Sequence, residues 1–153
     1  MAIVTSSGAK TAPSCFEMLR ASLNRAGTPL DADVVRHDLH GSDEAAGALA
    51  ELLTLREPPT AFFASQVFVT TGAIKALRQL GRHEDIARVG FDDIALADVL
   101  GLRLVLQDVQ AIGGLAAEVL FRRLDGDDSP IQRHVIPTRL VTRGSGEIPG
   151  PFR

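Results

Sequence analysis

The 153 residues contain neither tryptophan nor tyrosine, and phenylalanine occurs seven times. Few rings means few platforms on which nucleobases could stack. A single cysteine, Cys15, leaves no internal disulfide possible and points to a reducing compartment. The charge lacks a dominant sign: 16 basic against 19 acidic side chains give a formal net charge of −3, and no run of Lys and Arg gathers on one stretch. Phosphate neutralisation supplies most nucleic-acid affinity, so no nucleic acid is expected to bind this chain by itself. Long hydrophobic runs are missing too. MAIVTSSGAK is too short for a signal peptide and nothing later approaches a span, so no membrane association and a cytoplasmic location are expected.

What is present is the balance of a globular protein, 45% hydrophobic and 23% charged, at a length suited to one domain with a real core. Two kinds of segment alternate. AIVTS (2–6), DVVRH (33–37), TAFFA (60–64), ARVGF (87–91) and RLVLQ (103–107) read as short, nearly continuous apolar strands. Between them lie helical periods. Residues 14–26 carry Phe16, Leu19 and Leu23 and stop near Gly27; a second helix is expected to begin with Ser42 as its cap and to break at Pro58-Pro59. Residues 67–80 have Ile74 and Leu77 on one face, with Gly81 behind them. A long helix is expected over 110–124, stopped by Asp125-Gly126, and QRHVI and TRLVT as two extended pieces about Pro137. RGSGEIPGPFR, rich in Gly and Pro, reads as an unstructured tail. Strand–helix alternation of this kind implies an α/β fold, a three-layer, mostly parallel sheet with helices on both faces.

Ligands of such sheets lie at the carboxyl ends of the strands. RVGFDDIALADVL (88–100) puts Asp92 and Asp93 at one of those ends. On extended backbone the two side chains point to opposite sides, so a shared metal would need a special turn. A division of labour is simpler, with Asp92 facing the ligand edge and Asp93 capping a helix over 94–100. For Asp92, ligand binding and a purely structural turn both remain open at this point. Other patterns carry less. SSGAKT (6–11) lacks the Gly-Lys order and the upstream Gly of a phosphate loop. His37 and His40 fall across a strand end and a loop without a third ligand. No local pattern pairs Cys15 with a base. No metal, cofactor or catalytic residue is expected.

The stretches PPTAFFASQVFVTTGAIKALRQLG (58–81), RVGFDDIALADVL (88–100), LVLQDVQAIGGLAAEVLFRRLDG (104–126) and HVIPTRLVTRGS (134–145) resemble the C-terminal part of the LacI/GalR family of bacterial repressors. AIVTS, FEMLRASLNRAGTPLD and HDLHGSDEAAGAL fit the start of the same subdomain. The resemblance implies a periplasmic-binding-protein type I fold. It further implies the ligand-sensing half of a transcriptional regulator, without the helix-turn-helix headpiece and most of the N-terminal subdomain. Residues 1–143 would form the effector-binding subdomain, with helix 110–124 crossing to the N-terminal subdomain, and 144–153 a tail.

A small-molecule effector, a sugar or related polar metabolite, would lie between the subdomains of a homodimer or higher oligomer. The family's effector contacts fall on Cys15, Leu39, Ser65, Gln66, Asp92 and Gln107. Asp92 and Gln107 are of the family's type. Cys15 stands for an arginine, and Ser65-Gln66 for Asn-Asp, which weakens the usual sugar grip. Two other readings compete: a periplasmic-type sugar-binding protein fragment, and a small divalent-ion-dependent α/β enzyme using Asp92 and Asp93.

Overall fold

The computed structural model describes residues 1–4 and 15–150, with the side chains of Ile3, Val4 and Cys15 excepted. The loop 6–11 considered above lies outside the described residues.

Six strands form one sheet in the order β2-β1-β3-β4-β5-β6: β1 (Ala2–Val4), β2 (Val35–Arg36), β3 (Ala61–Ala64), β4 (Ala87–Phe91), β5 (Arg103–Leu106) and β6 (Arg139–Val141). The first five run parallel and β6 joins β5 antiparallel, in register Val105↔Leu140. Strand alternation selects the dry face. Phe62, Ala64, Leu104 and Leu106 are buried, whereas Ala61, Phe63, Arg103 and Val105 are only half-buried.

On the dry face lie α2 (Ser42–Leu52) and α3 (Val67–Gln79), packed tightly on each other. Their buried Ala45, Leu49, Leu52, Val69, Ala73 and Leu77 build the main core with Phe62 and Ile86. The helices can approach because position 72 is glycine: a Cβ there would run into the Ser42 carbonyl. A second cluster of Ala97, Leu102, Leu104 and Leu106 receives Ile74, Ile94 and Leu100. The β1–β2 connection carries α1 (Cys15–Arg25), and right-handed crossovers put it on the opposite face. Phe16, Leu19 and Leu23, the stripe read from the sequence, are its half-buried positions. No helix is long and apolar enough to cross a membrane, among the described residues.

Several local expectations are corrected. Ser42 is the first helical residue, not the cap; Gly41 takes the cap position in extended backbone. α2 ends at Leu52, before the two prolines, in turns closed by Leu53 and Thr54 N–H groups. Only Val35–Arg36 of the expected second strand pairs, because Asp31 caps a short 3-10 turn, Ala32–Val34, just ahead of it. Residues 94–100 are successive turns rather than a helix, and Leu96 in left-handed backbone (φ +65°) interrupts any helical run. QRHVI forms no strand; only Arg139–Val141 of the two extended pieces does.

The Gly- and Pro-rich end is also more ordered than its composition suggests. Ser145 is 3% exposed. Its hydroxyl donates to the Arg88 carbonyl and accepts from the Arg103 N–H, both at 2.8 Å. Its own N–H donates to Gly101 O. Residues 144–147 are thereby stitched to the amino ends of β4 and β5, and the unstructured reading fails for them. Composition records flexibility on average and does not see one side chain closing two backbone groups.

α4 (Val109–Leu124) stands apart. Asp108 caps it by accepting the Ala111 N–H, and Gly126 (φ +95°) follows its end. None of its residues is buried.

Candidate functional site

The carboxyl ends of β2, β3, β4 and β5 open on one edge of the sheet, and the chain leaves each by a different device. After β2, Asp38 takes left-handed backbone (φ 59°). After β3, Gln66 stands at the cap position of α3 without a side-chain cap bond; its carbonyl accepts both the N–H and the hydroxyl of Thr70. After β4, Asp92 also turns left-handed (φ +65°), a conformation that costs a residue with a Cβ on the order of 1 kcal/mol. Its N–H donates to Val105 O at 2.9 Å, holding the turn against β5. After β5 comes Gln107, and its Nε2 donates to Asp92 Oδ1 at 2.7 Å.

That bond is the centre of the edge. A charged acceptor gripping an amide N–H makes a stronger bond than two neutral groups would. The contact also sets the amide: with Nε2 on the carboxylate, Oε1 of Gln107 is left as an acceptor beside the remaining lone pairs of Asp92. The pair therefore offers a carboxylate and an amide oxygen side by side, a surface for hydroxyl or ring N–H donors. Nothing in it can act as nucleophile and base together.

The candidates separate accordingly. Asp92 and Gln107 meet directly. Ser65 and Gln66 follow the neighbouring strand, since β3 pairs with β4 in register Ala64↔Gly90, so they flank Asp92 on the same edge. Leu39 is half-buried and packs against the main core. The Cys15 side chain lies outside the described residues; its backbone begins α1.

Asp93 does not cap a helix. Its carboxylate receives the adjacent Ile94 N–H at 3.2 Å and lies 3.7 Å from Arg143 Nη1. The left-handed turn at Asp92 also removes the simple two-sided geometry of an extended dipeptide. No group of three or more His, Cys, Asp or Glu side chains is placed to hold a metal ion, among the described residues. Sequence reading missed Asp38, the second non-glycine in left-handed backbone at this edge; Asp tolerates that region better than most residues, which was the available hint.

Comparison with known proteins gives three consistent results. A family model described as "Periplasmic binding protein-like domain" matches residues 1–146. The chain is 33% identical over 114 residues to the ribose operon repressor of Halalkalibacterium halodurans, covering 72% of this chain and 34% of that protein. It is 31% identical over 131 residues to the HTH-type transcriptional regulator CelR of Thermobifida fusca, covering 83% and 38%. The chain thus spans little more than a third of the length of these curated relatives. In fold it resembles a LacI transcriptional regulator from Bacillus cereus subsp. cytotoxis, with a TM-score of 0.82 at 22% identity, over 94% of this chain and 53% of that one.

Proposed function

The chain belongs to the periplasmic binding protein-like family, and from that premise we propose that it is part of a LacI-type transcriptional regulator and forms one wall of an effector cleft. In this reading the carboxyl edge of the sheet holds a small polar metabolite, sugar-like in presenting neighbouring hydroxyl donors. Asp92 and Gln107 supply its main acceptors. Ser65 and Gln66 extend the same edge with neutral groups, and the first turn of α1, from Cys15, approaches from the other side. The observation that carries the reading is the 2.7 Å Gln107–Asp92 bond at adjacent strand ends. The name of the ribose operon repressor supports a sugar as the class.

The domain senses and does no chemistry. The relatives are regulators, and the edge pairs an acceptor with an amide rather than a nucleophile with a base. We further infer that the regulator works in the cytoplasm and as an oligomer.

The test is a thermal-shift panel of pentoses, hexoses, disaccharides and nucleosides on the wild-type chain and on Asp92→Asn. A ligand that binds the native state raises the midpoint by mass action. At least one sugar-like compound should raise it for wild type and lose most of that effect in the variant. Equal shifts in both, or stabilisation by Mg²⁺ alone, would contradict the reading.

A further inference from the structure

Basic side chains from four separate elements meet at the amino ends of β4 and β5, the edge opposite the Asp92–Gln107 bond. Arg78 comes from the last turn of α3, His83 from the turn behind it, Arg88 from the start of β4 and Arg143 from the segment after β6. Together with Gly101 and Ser145 they line one open cavity of about 370 Å³.

Counter-charge is scarce there. Glu84 also lines the cavity, but no carboxylate pairs with Arg78 or Arg88, among the described residues. Arg143 Nη1 lies 3.7 Å from Asp93 Oδ1, too far for a hydrogen bond. Arg88 Nη1 donates to the His83 and Ile86 carbonyls at 2.6 and 3.3 Å, which carry no net charge. Desolvation first, and then the neighbouring Arg78 charge, hold the Arg88 guanidinium below its ordinary pKa. Three buried nitrogens of these side chains, His83 Nδ1, Arg88 Nε and Arg143 Nη1, have no hydrogen-bond partner among the described residues. Native structures rarely leave such groups unmatched, and three around one cavity point to a ligand that accepts.

We propose that this cavity binds a phosphate dianion, free or as the monoester of a small metabolite. The inference is independent of the effector reading, because no residue is shared between the two edges. Charge and shape select phosphate. A dianion offsets two guanidinium charges where a carboxylate offsets one, and its oxygens can face donors that arrive from several elements. The planar fork of arginine also suits phosphate better than an ammonium would. A nucleic-acid backbone does not fit, since it needs cations in a row along a face and these surround a single concavity.

Calorimetry and thermal unfolding of the 153-residue chain at fixed ionic strength test the site. Two probes distinguish the source: inorganic phosphate, and phenyl phosphate, a monoester without hydroxyls for the Asp92 edge. At least one should bind saturably with a dissociation constant of about 1 mM or below and raise the midpoint, whereas acetate should not. The tighter probe identifies free anion or monoester as the ligand. Arg78→Glu is the decisive variant, at an exposed position. Its carboxylate supplies the counter-charge that Arg88 lacks, so without phosphate it should unfold at a higher temperature than wild type. Its phosphate affinity should fall at least about tenfold, with Arg78→Ala in between. No saturable binding of either probe, an equal response to acetate, or unchanged phosphate affinity in Arg78→Glu would overturn the site.

Discussion

Gln107 Nε2 reaches Asp92 Oδ1 across 2.7 Å, and this bond ties the end of β5 to the end of β4 where both strands open on the carboxyl edge of the sheet. It joins two residues 15 positions apart in the chain. One of them adopts a backbone conformation that a non-glycine residue rarely keeps without reason.

The backbone and the side chain of Asp92 can be tested apart. Asp92→Gly removes the carboxylate and relieves the left-handed φ, whereas Asp92→Ala removes the carboxylate and keeps the strain. Urea denaturation should find the alanine variant less stable than the glycine variant by about 1 kcal/mol. Both should lose effector response. An alanine variant at least as stable as the glycine one would mean that the turn is not strained as described.

The α2–α3 contact makes opposite predictions for two helical glycines. At Gly72 a Cβ meets the Ser42 carbonyl and Ala45, so Gly72→Ala should separate the helices and destabilise by about 1–3 kcal/mol. At Gly47 a Cβ meets nothing within 4 Å, and Gly47→Ala should stabilise α2 by up to about 1 kcal/mol. Thermal unfolding of the two variants against wild type reads both signs.

Ser145 anchors the end of the chain. Ser145→Ala takes the hydroxyl partner from the Arg88 carbonyl and the Arg103 N–H in a part-buried place, at a cost of about 1–3 kcal/mol in all. Truncation after Glu147 should be nearly silent by comparison, and truncation after Thr142 should match or exceed the point variant. Chemical denaturation of the three chains checks the order.

Much of this fold was legible in the sequence, and the reason is periodicity. Strands β3, β4 and β5 are apolar runs that need no partner to be recognised, and the Phe16, Leu19, Leu23 stripe marks the inner side of α1. What escaped depended on one backbone angle or on distant partners. Ile94, Ala97 and Leu100 have helical spacing and do enter the second core cluster, but Leu96 turns left-handed and the chain delivers them through turns. Val135 and Ile136 have strand character, but no neighbouring strand pairs with them among the described residues. At the site, Asp92 followed from a strand end and Gln107 from the family resemblance; their direct bond did not, because register between β4 and β5 is not written in either segment alone.

The charge balance predicts that this chain alone does not read DNA. Electrophoretic mobility shifts at physiological salt should show no sequence-dependent retention, because a net charge of −3 with no basic cluster in sequence leaves little for phosphates to meet. Specific retention of a duplex by these residues alone would contradict that.

The central claim is that the Asp92–Gln107 edge holds the effector, and amide-resolved NMR titration tests it most directly. Adding a stabilising compound from the panel should move the backbone amides of Ser65, Gln66, Asp92 and Gln107 together, with one saturation curve. Asp92→Ala should weaken that curve roughly ten- to a hundred-fold, the loss of a charged acceptor worth about 1.5–3 kcal/mol. Shifts confined to other parts of the chain, or an unchanged curve in the variant, would contradict the account.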